Sequence, residues 1–222
     1  MSLVGNIVLA ALLVPEDFGL VAMLGIFTSL VYALIDCGMS DGLLREAAPT
    51  HRDFNTMFYF NIVAGVLIGL LFVALSPVVA HFFGRSELKA VMAVLGVGPV
   101  FSGLCIAQTT RLRSQLRFRR VALINVGAIV LALAVAIVMA WRGLRYWAMV
   151  ELQVGFSFFY WVLLVFASKW HLRWEFDTAR FKQLWHFGVN LLVSTIVVQL
   201  SQNIVAAVLG RCYNATQAGF MG

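Results

Sequence analysis

Long unbroken apolar runs constrain this chain more than any other feature. Residues 122–140 carry a single polar side chain, Asn125, among aliphatic and small residues. A barrel strand would alternate apolar and polar positions over about ten residues, whereas a helix crossing a hydrocarbon core of about 30 Å needs about 20 apolar residues in succession. The runs do not alternate, so they predict helices. Hydrophobic residues make up 62% of the chain and charged residues 12%, with a mean hydropathy of +0.92. That leaves too little polar surface to cover a water-soluble body of this size. The expected fold is all-α, a polytopic transmembrane helix bundle, and its first partner is the lipid bilayer.

Apolar windows place six spans near residues 18–37, 55–80, 88–109, 121–141, 146–168 and 184–210. A further run, Ser2 to Val14, has 13 residues. At 1.5 Å per residue it reaches about 20 Å, too short to cross, so it is expected to be clipped or to start upstream. A signal peptide competes for this segment, but no Lys or Arg precedes it and no small-residue cleavage site precedes Pro15-Glu16-Asp17. Counting the short run as the first span, loops on one side hold eleven basic residues: Arg45, Arg52, Arg111, Arg113, Arg117, Arg119, Arg120, Lys169, Arg173, Arg180 and Lys182. The other side holds five: Arg85, Lys89, Arg142, Arg145 and Arg211. The positive-inside rule makes the first group cytoplasmic, and the N-terminus with it.

Asn6–Leu12 matches Asn203–Leu209 at five of seven positions. Either both are simply Ile/Val/Ala-rich helix ends, or the last span restarts the pattern of the first. On the second reading residues 1–175 form an N-terminal transmembrane lobe of about six spans. Residues 176–222 then supply an interfacial amphipathic helix and a seventh span opening a second lobe, as in transporters with parallel halves.

No motif encodes metal or nucleotide chemistry. The four histidines are scattered and no glycine loop precedes a Lys-Ser/Thr pair, so neither a metal nor a cofactor is expected. Cys37, Cys105 and Cys212 form no CxxC and read as packing residues. Nucleic-acid binding would need an aromatic-interleaved soluble platform that this chain lacks. No nucleophile and base, or acid and base, are placed together by a motif, so no enzyme is expected.

Ionisable groups at membrane depth say more, because they are expensive there. Asp36 falls at the cytoplasmic end of its span, either paired with Arg45 or an arginine of the next loop, or lining a polar cavity. Glu151 lies about five residues into its span, either bonded to Arg145 or Tyr146 at the interface, or in a cavity. Thr195, Gln199, Gln202 and Asn203 share about 100° of arc on the last span, which suits interhelical hydrogen bonds or a water-filled cavity. The run Arg111–Arg120 holds five arginines. It either fixes orientation and meets anionic head groups or captures a lipid phosphate or diphosphate. Phe181, Leu184 and Trp185 share one face of a segment that Asp177 or Thr178 could cap, as in an interfacial anchor with its basic side on the head groups.

Three segments carry a family resemblance: Leu13-Val14-Pro15-Glu16-Asp17-Phe18-Gly19 through Met23, Asp36-Cys37-Gly38-Met39-Ser40, and Gln115-Leu116-Arg117-Phe118-Arg119-Arg120-Val121-Ala122. Phe187-Gly188-Val189-Asn190-Leu191 and the final Gly219-Phe220 extend it. The chain resembles the polysaccharide-exporter, or oligosaccharide flippase, branch of the multidrug, oligosaccharidyl-lipid and polysaccharide exporter superfamily, over about half of a member. The resemblance implies a six-helix lobe plus the first helix of a second lobe, in a bacterial inner membrane. It implies translocation of an undecaprenyl-diphosphate-linked oligosaccharide to the periplasmic leaflet for capsule, exopolysaccharide or O-antigen, beside a polysaccharide polymerase and export machinery. Cavity candidates on this sequence are Arg45 and Arg111 with the polar Asn6, Asp36, Gln199 and Asn203, and Glu151 by its depth. A drug or cation antiporter, a peptidoglycan-lipid flippase, and a non-transporting membrane scaffold remain as alternatives.

Overall fold

The computed structural model describes residues 34–46, 49–144, 146–168 and 175–186, together with Val31, Trp170, Gly188, Val189 and Leu192. Every regular element among them is helical: α1 Met39–Arg45, α2 His51–Phe83, α3 Glu87–Leu95, α4 Val97–Ser114, α5 Phe118–Trp141 and α6 Trp147–Ser168, with further helical turns through 178–186. Four spans are long and apolar enough to cross a membrane: α2, α3 with α4 as Glu87–Ser114, α5, and α6. They coincide with the runs expected at 55–80, 88–109, 121–141 and 146–168. The run Ser2–Val14, most of 18–37 and nearly all of 184–210 lie outside the described residues, as does the Asn6–Leu12 repeat.

Helix α4 lies between α2 and α6, and α5 packs along α6. The alternating chain direction gathers the basic segments 45–52, 111–120 and 180–182 at one end, hereafter the polar end, where Ser40 meets Thr110, Gln108 meets Ser168 and Arg180 meets Asp53. Arg85, Lys89 and Arg142 lie at the opposite end.

Lipid tails are as apolar as leucine, so these helices are held by close packing of small residues. A Cβ on Gly65 would stand 2.6 Å from the Pro99 carbonyl oxygen, and one on Gly69 would stand 2.5 Å from that of Gly96. Gly103 meets the carbonyl of Asn61 still more closely. Along α5, Ala128, Ala132 and Ala136 recur every fourth residue and are fully buried, the last two against Ala148, Met149 and Leu152 of α6. The outward faces carry Leu67, Leu70, Leu123 and Val126, which would be a liability in water and are the natural contact with lipid.

Two prolines interrupt the ladders. Pro99 has no N–H for the Leu95 carbonyl, and the break between α3 and α4 at Gly96 sits one turn before it. Pro77 likewise leaves the Val73 carbonyl inside α2, and there the Ser76 hydroxyl donates to that oxygen at 2.8 Å. Ser76→Ala should therefore lower stability by about 1–2 kcal/mol in detergent thermal unfolding. In a Pro77→Ala background, where residue 77 regains its own donor, the loss should vanish; a loss of equal size there would refute the role.

Candidate functional site

The polar end is built around a break and a latch. Helical residues 34–36 stop where Cys37 (φ 47°) and Gly38 (φ 70°) turn left-handed, and the helix restarts at Met39. Asp36 sits buried at this break. Its Oδ1 accepts from the Ser40 backbone N–H at 3.2 Å and from the Ser40 hydroxyl at 2.6 Å, so the carboxylate satisfies an otherwise orphaned donor in the first turn of α1. Thr110 of α4 lies 2.8 Å from Ser40 Oγ and 2.9 Å from the Ile106 carbonyl, between which its single proton is shared. A Cβ on Gly188 would collide with the Cys37 carbonyl oxygen, so only glycine lets residue 188 lie against the break. Cys37 and Gly188, far apart in sequence, thus meet. Thr109 meets Tyr160 at 3.1 Å and the Ser168 hydroxyl donates to Gln108 at 2.9 Å, tying α4 to α6.

The latch starts from the α2 cap. Thr50 and Asp53 form a reciprocal capping box that leaves Asp53 Oδ1 free to accept from Arg180 Nε at 2.8 Å. The same guanidinium donates through Nη2 to Glu46 at 2.5 Å and through Nη1 to Gln183 at 2.9 Å. The hydrogen bond with Asp53 drives the Arg180 guanidinium above its ordinary value against an opposing push from desolvation, with Glu46 adding to the rise. It therefore stays charged. Asp177 caps the 178–186 helix by accepting from Ala179 and Arg180 N–H groups at 2.9 and 3.2 Å. Its own N–H donates to Thr56 at 3.1 Å, and Arg52 lies 3.5 Å from its other oxygen.

Trp170 completes the latch by donating from Nε1 to His51 Nε2 at 3.0 Å. An indole can only donate, so Nε2 accepts and the proton of a neutral His51 sits on Nδ1. The Asn55 amide atom 3.1 Å from Nδ1 is then read as its oxygen, which gives that buried oxygen its partner.

Beside the latch, an apolar cavity of about 450 Å³ is lined by Tyr59, Phe60, Val63, Phe176 and Phe181. Phe181 packs tilted and Trp185 edge-on against Phe60, and Leu184 is buried, as the shared apolar face predicts. Arg180 departs from the expected anchor: two carboxylates turn it back onto the bundle instead of leaving it to the head groups.

Of the sequence candidates, Asp36, Arg45 and Arg111 come to the polar end, with Asp36 buried, Arg111 half-buried and Arg45 exposed. Asp36 is hydrogen-bonded by Ser40, with no arginine at ion-pair distance among the described residues, though the charge of Arg113 in the last turn of α4 acts on it. Glu151 lies half-buried toward the opposite end, its carboxylate folded over Gly155. Asn6, Gln199 and Asn203 lie outside the described residues, as do Thr195 and Gln202. Among the described residues no three His, Cys, Asp or Glu side chains converge as a metal site. Sequence reasoning passed over Asp53, whose signal was Thr50-x-x-Asp53 ahead of an apolar run.

Comparison with known proteins finds that the profile of a family described as polysaccharide biosynthesis protein matches residues 8–221. The teichuronic acid biosynthesis protein TuaB of Bacillus subtilis (strain 168) is 30% identical over 190 residues, covering 84% of this chain and 39% of that protein. The lipopolysaccharide biosynthesis protein WzxC of Escherichia coli (strain K12) is 20% identical over 229 residues, covering 99% of this chain and 45% of that one. The chain thus spans less than half the length of these relatives. No solved structure matches.

Proposed function

The chain belongs to the polysaccharide biosynthesis protein family, and on that premise we propose that it forms a lobe of a membrane transporter that flips a lipid-linked oligosaccharide. The substrate is an undecaprenyl-diphosphate-linked oligosaccharide, moved to the periplasmic leaflet without covalent chemistry. Residues 1–175 are the first lobe and 176–222 open a second. The polar end and the N-terminus face the cytoplasm of a bacterial inner membrane, since basic loops stay inside.

The observation that carries this reading is the gathering of Arg45 and Arg111 with Asp36 at one end of a lipid-exposed bundle. Arginine forks suit a diphosphate or acidic sugars. Asp36, with Asn6, Gln199 and Asn203, bonds sugar hydroxyls, and Glu151 serves the far side of the path. The polymerase and export machinery take over the product.

Complementation tests it. The chain is expressed alone, and beside a matching second half, in cells lacking their exopolysaccharide flippase, and surface polymer is assayed. Rescue is expected only with both halves. In the rescued pair Arg111→Gln should cut polymer about tenfold, in line with the roughly 1.5–3 kcal/mol of a charged hydrogen bond. Confirmed insertion without rescue, beside a working full-length control, would overturn the reading.

A further inference from the structure

The tip joining α4 to α5 holds a residue that the fold itself does not favour. Helix α4 closes in a Schellman pattern, with Arg117 N–H donating to the Leu112 carbonyl at 3.0 Å and Leu116 N–H donating to that of Arg113 at 2.9 Å. This closure places Leu116 in left-handed backbone at φ 56°, where glycine is the usual occupant and a side chain is strained. Packing does not offset the strain, because Leu116 is 75% exposed, and Phe118 beside it is 57% exposed. Strain kept at a surface position points to a use outside the chain.

The surroundings say what that use is. Arg113, Arg117, Arg119 and Arg120 are exposed and Arg111 is half-buried, with no Asp or Glu in 111–120. None of the five forms an ion pair with a described residue. The tip lies where two membrane-capable helices end within a few residues of each other, so its side chains stand at the depth of lipid head groups. A soluble anion would engage guanidiniums but has no use for Leu116 and Phe118. An amphiphile engages both.

We propose that the 116–120 tip is a binding site for anionic phospholipid of the surrounding leaflet, with Leu116 and Phe118 dipping into the acyl boundary while the forks of Arg117, Arg119 and Arg120 hold lipid phosphates. The site is distinct from the Asp36–Thr110 interior, because Leu116, Arg117, Phe118, Arg119 and Arg120 are all exposed, whereas Leu112 is buried and Arg111 half-buried toward that interior. It stands whether or not the transport reading does.

The test reads lipid, not transport. The full chain is reconstituted in phosphatidylcholine bilayers holding a minority of phosphatidylglycerol, gently extracted, and its retained lipids are counted by native mass spectrometry. Phosphatidylglycerol should be enriched about tenfold or more over its share of the bilayer, and the triple variant Arg117→Gln, Arg119→Gln, Arg120→Gln should abolish the enrichment. Leu116→Gly suits the left-handed backbone, so it should unfold at a higher temperature while retaining several-fold less phosphatidylglycerol. That pairing separates lipid contact from damage to the fold. Equal retention of the two lipids by the parent chain, unchanged enrichment in either variant, or full displacement of the lipid by inorganic diphosphate would overturn the assignment.

Discussion

Arg180→Met lowers the stability of the bundle by about 2–4 kcal/mol in denaturant unfolding from detergent. Two unequal contacts set that range. Asp53 is 3% exposed at its side chain, so losing Arg180 leaves a buried carboxylate without its cation, the costly way to break a pair. Glu46 is 34% exposed and Arg180 itself 30%, so their contact is screened by solvent, and Glu46→Gln should cost less than about 1 kcal/mol. A double-mutant cycle of Arg180→Met with Asp53→Asn isolates the buried half and should return most of the loss as coupling. An Arg180→Met effect no larger than that of Glu46→Gln would mean that the latch is only a surface ion pair.

Gly103→Ala should be worse still for so small a change, at about 3 kcal/mol or more, because the added carbon meets the backbone carbonyl of Asn61 and not a side chain that can turn away. Gly98, on the same helix, has open space where a Cβ would go, so Gly98→Ala should be neutral or stabilising by up to about 1 kcal/mol. Thermal unfolding of the two variants side by side checks the seam. Equal losses would show that α2 and α4 do not approach as closely as the backbone distances require.

Hydropathy alone located α2, the α3–α4 pair, α5 and α6, because a span of apolar residues in lipid has no alternative to a helix. The alternation of spans sorted the described loops into two ends, since each helix reverses the chain. The small helix α1 was not legible: Met39–Arg45 has seven residues, too few to show a period, and exists because Cys37 and Gly38 reverse the backbone and Asp36 caps the restart. Asp36 shows the same limit. Sequence offered an arginine pair or a cavity, and the structure adds Ser40, four residues on, a local bond that depth and charge do not reveal. The contact between Asp53 and Arg180 spans 127 residues, and only the folded bundle brings it about.

The two proline interruptions have a mechanical meaning. Pro77 and the Gly96–Pro99 break fall in the parts of α2 and α3–α4 that lie away from the polar end. At that end, the Arg180 latch fastens the 178–186 helix to the capped start of α2, and the Gln108–Ser168 bond fastens α4 to α6. The bundle therefore has one clamped end and one compliant end, like a reed held at its base. Bending stress concentrates where backbone bonds are missing, so any bending of the lobe is expected beyond the glycine seam, at its far end, with the clamped base keeping its shape.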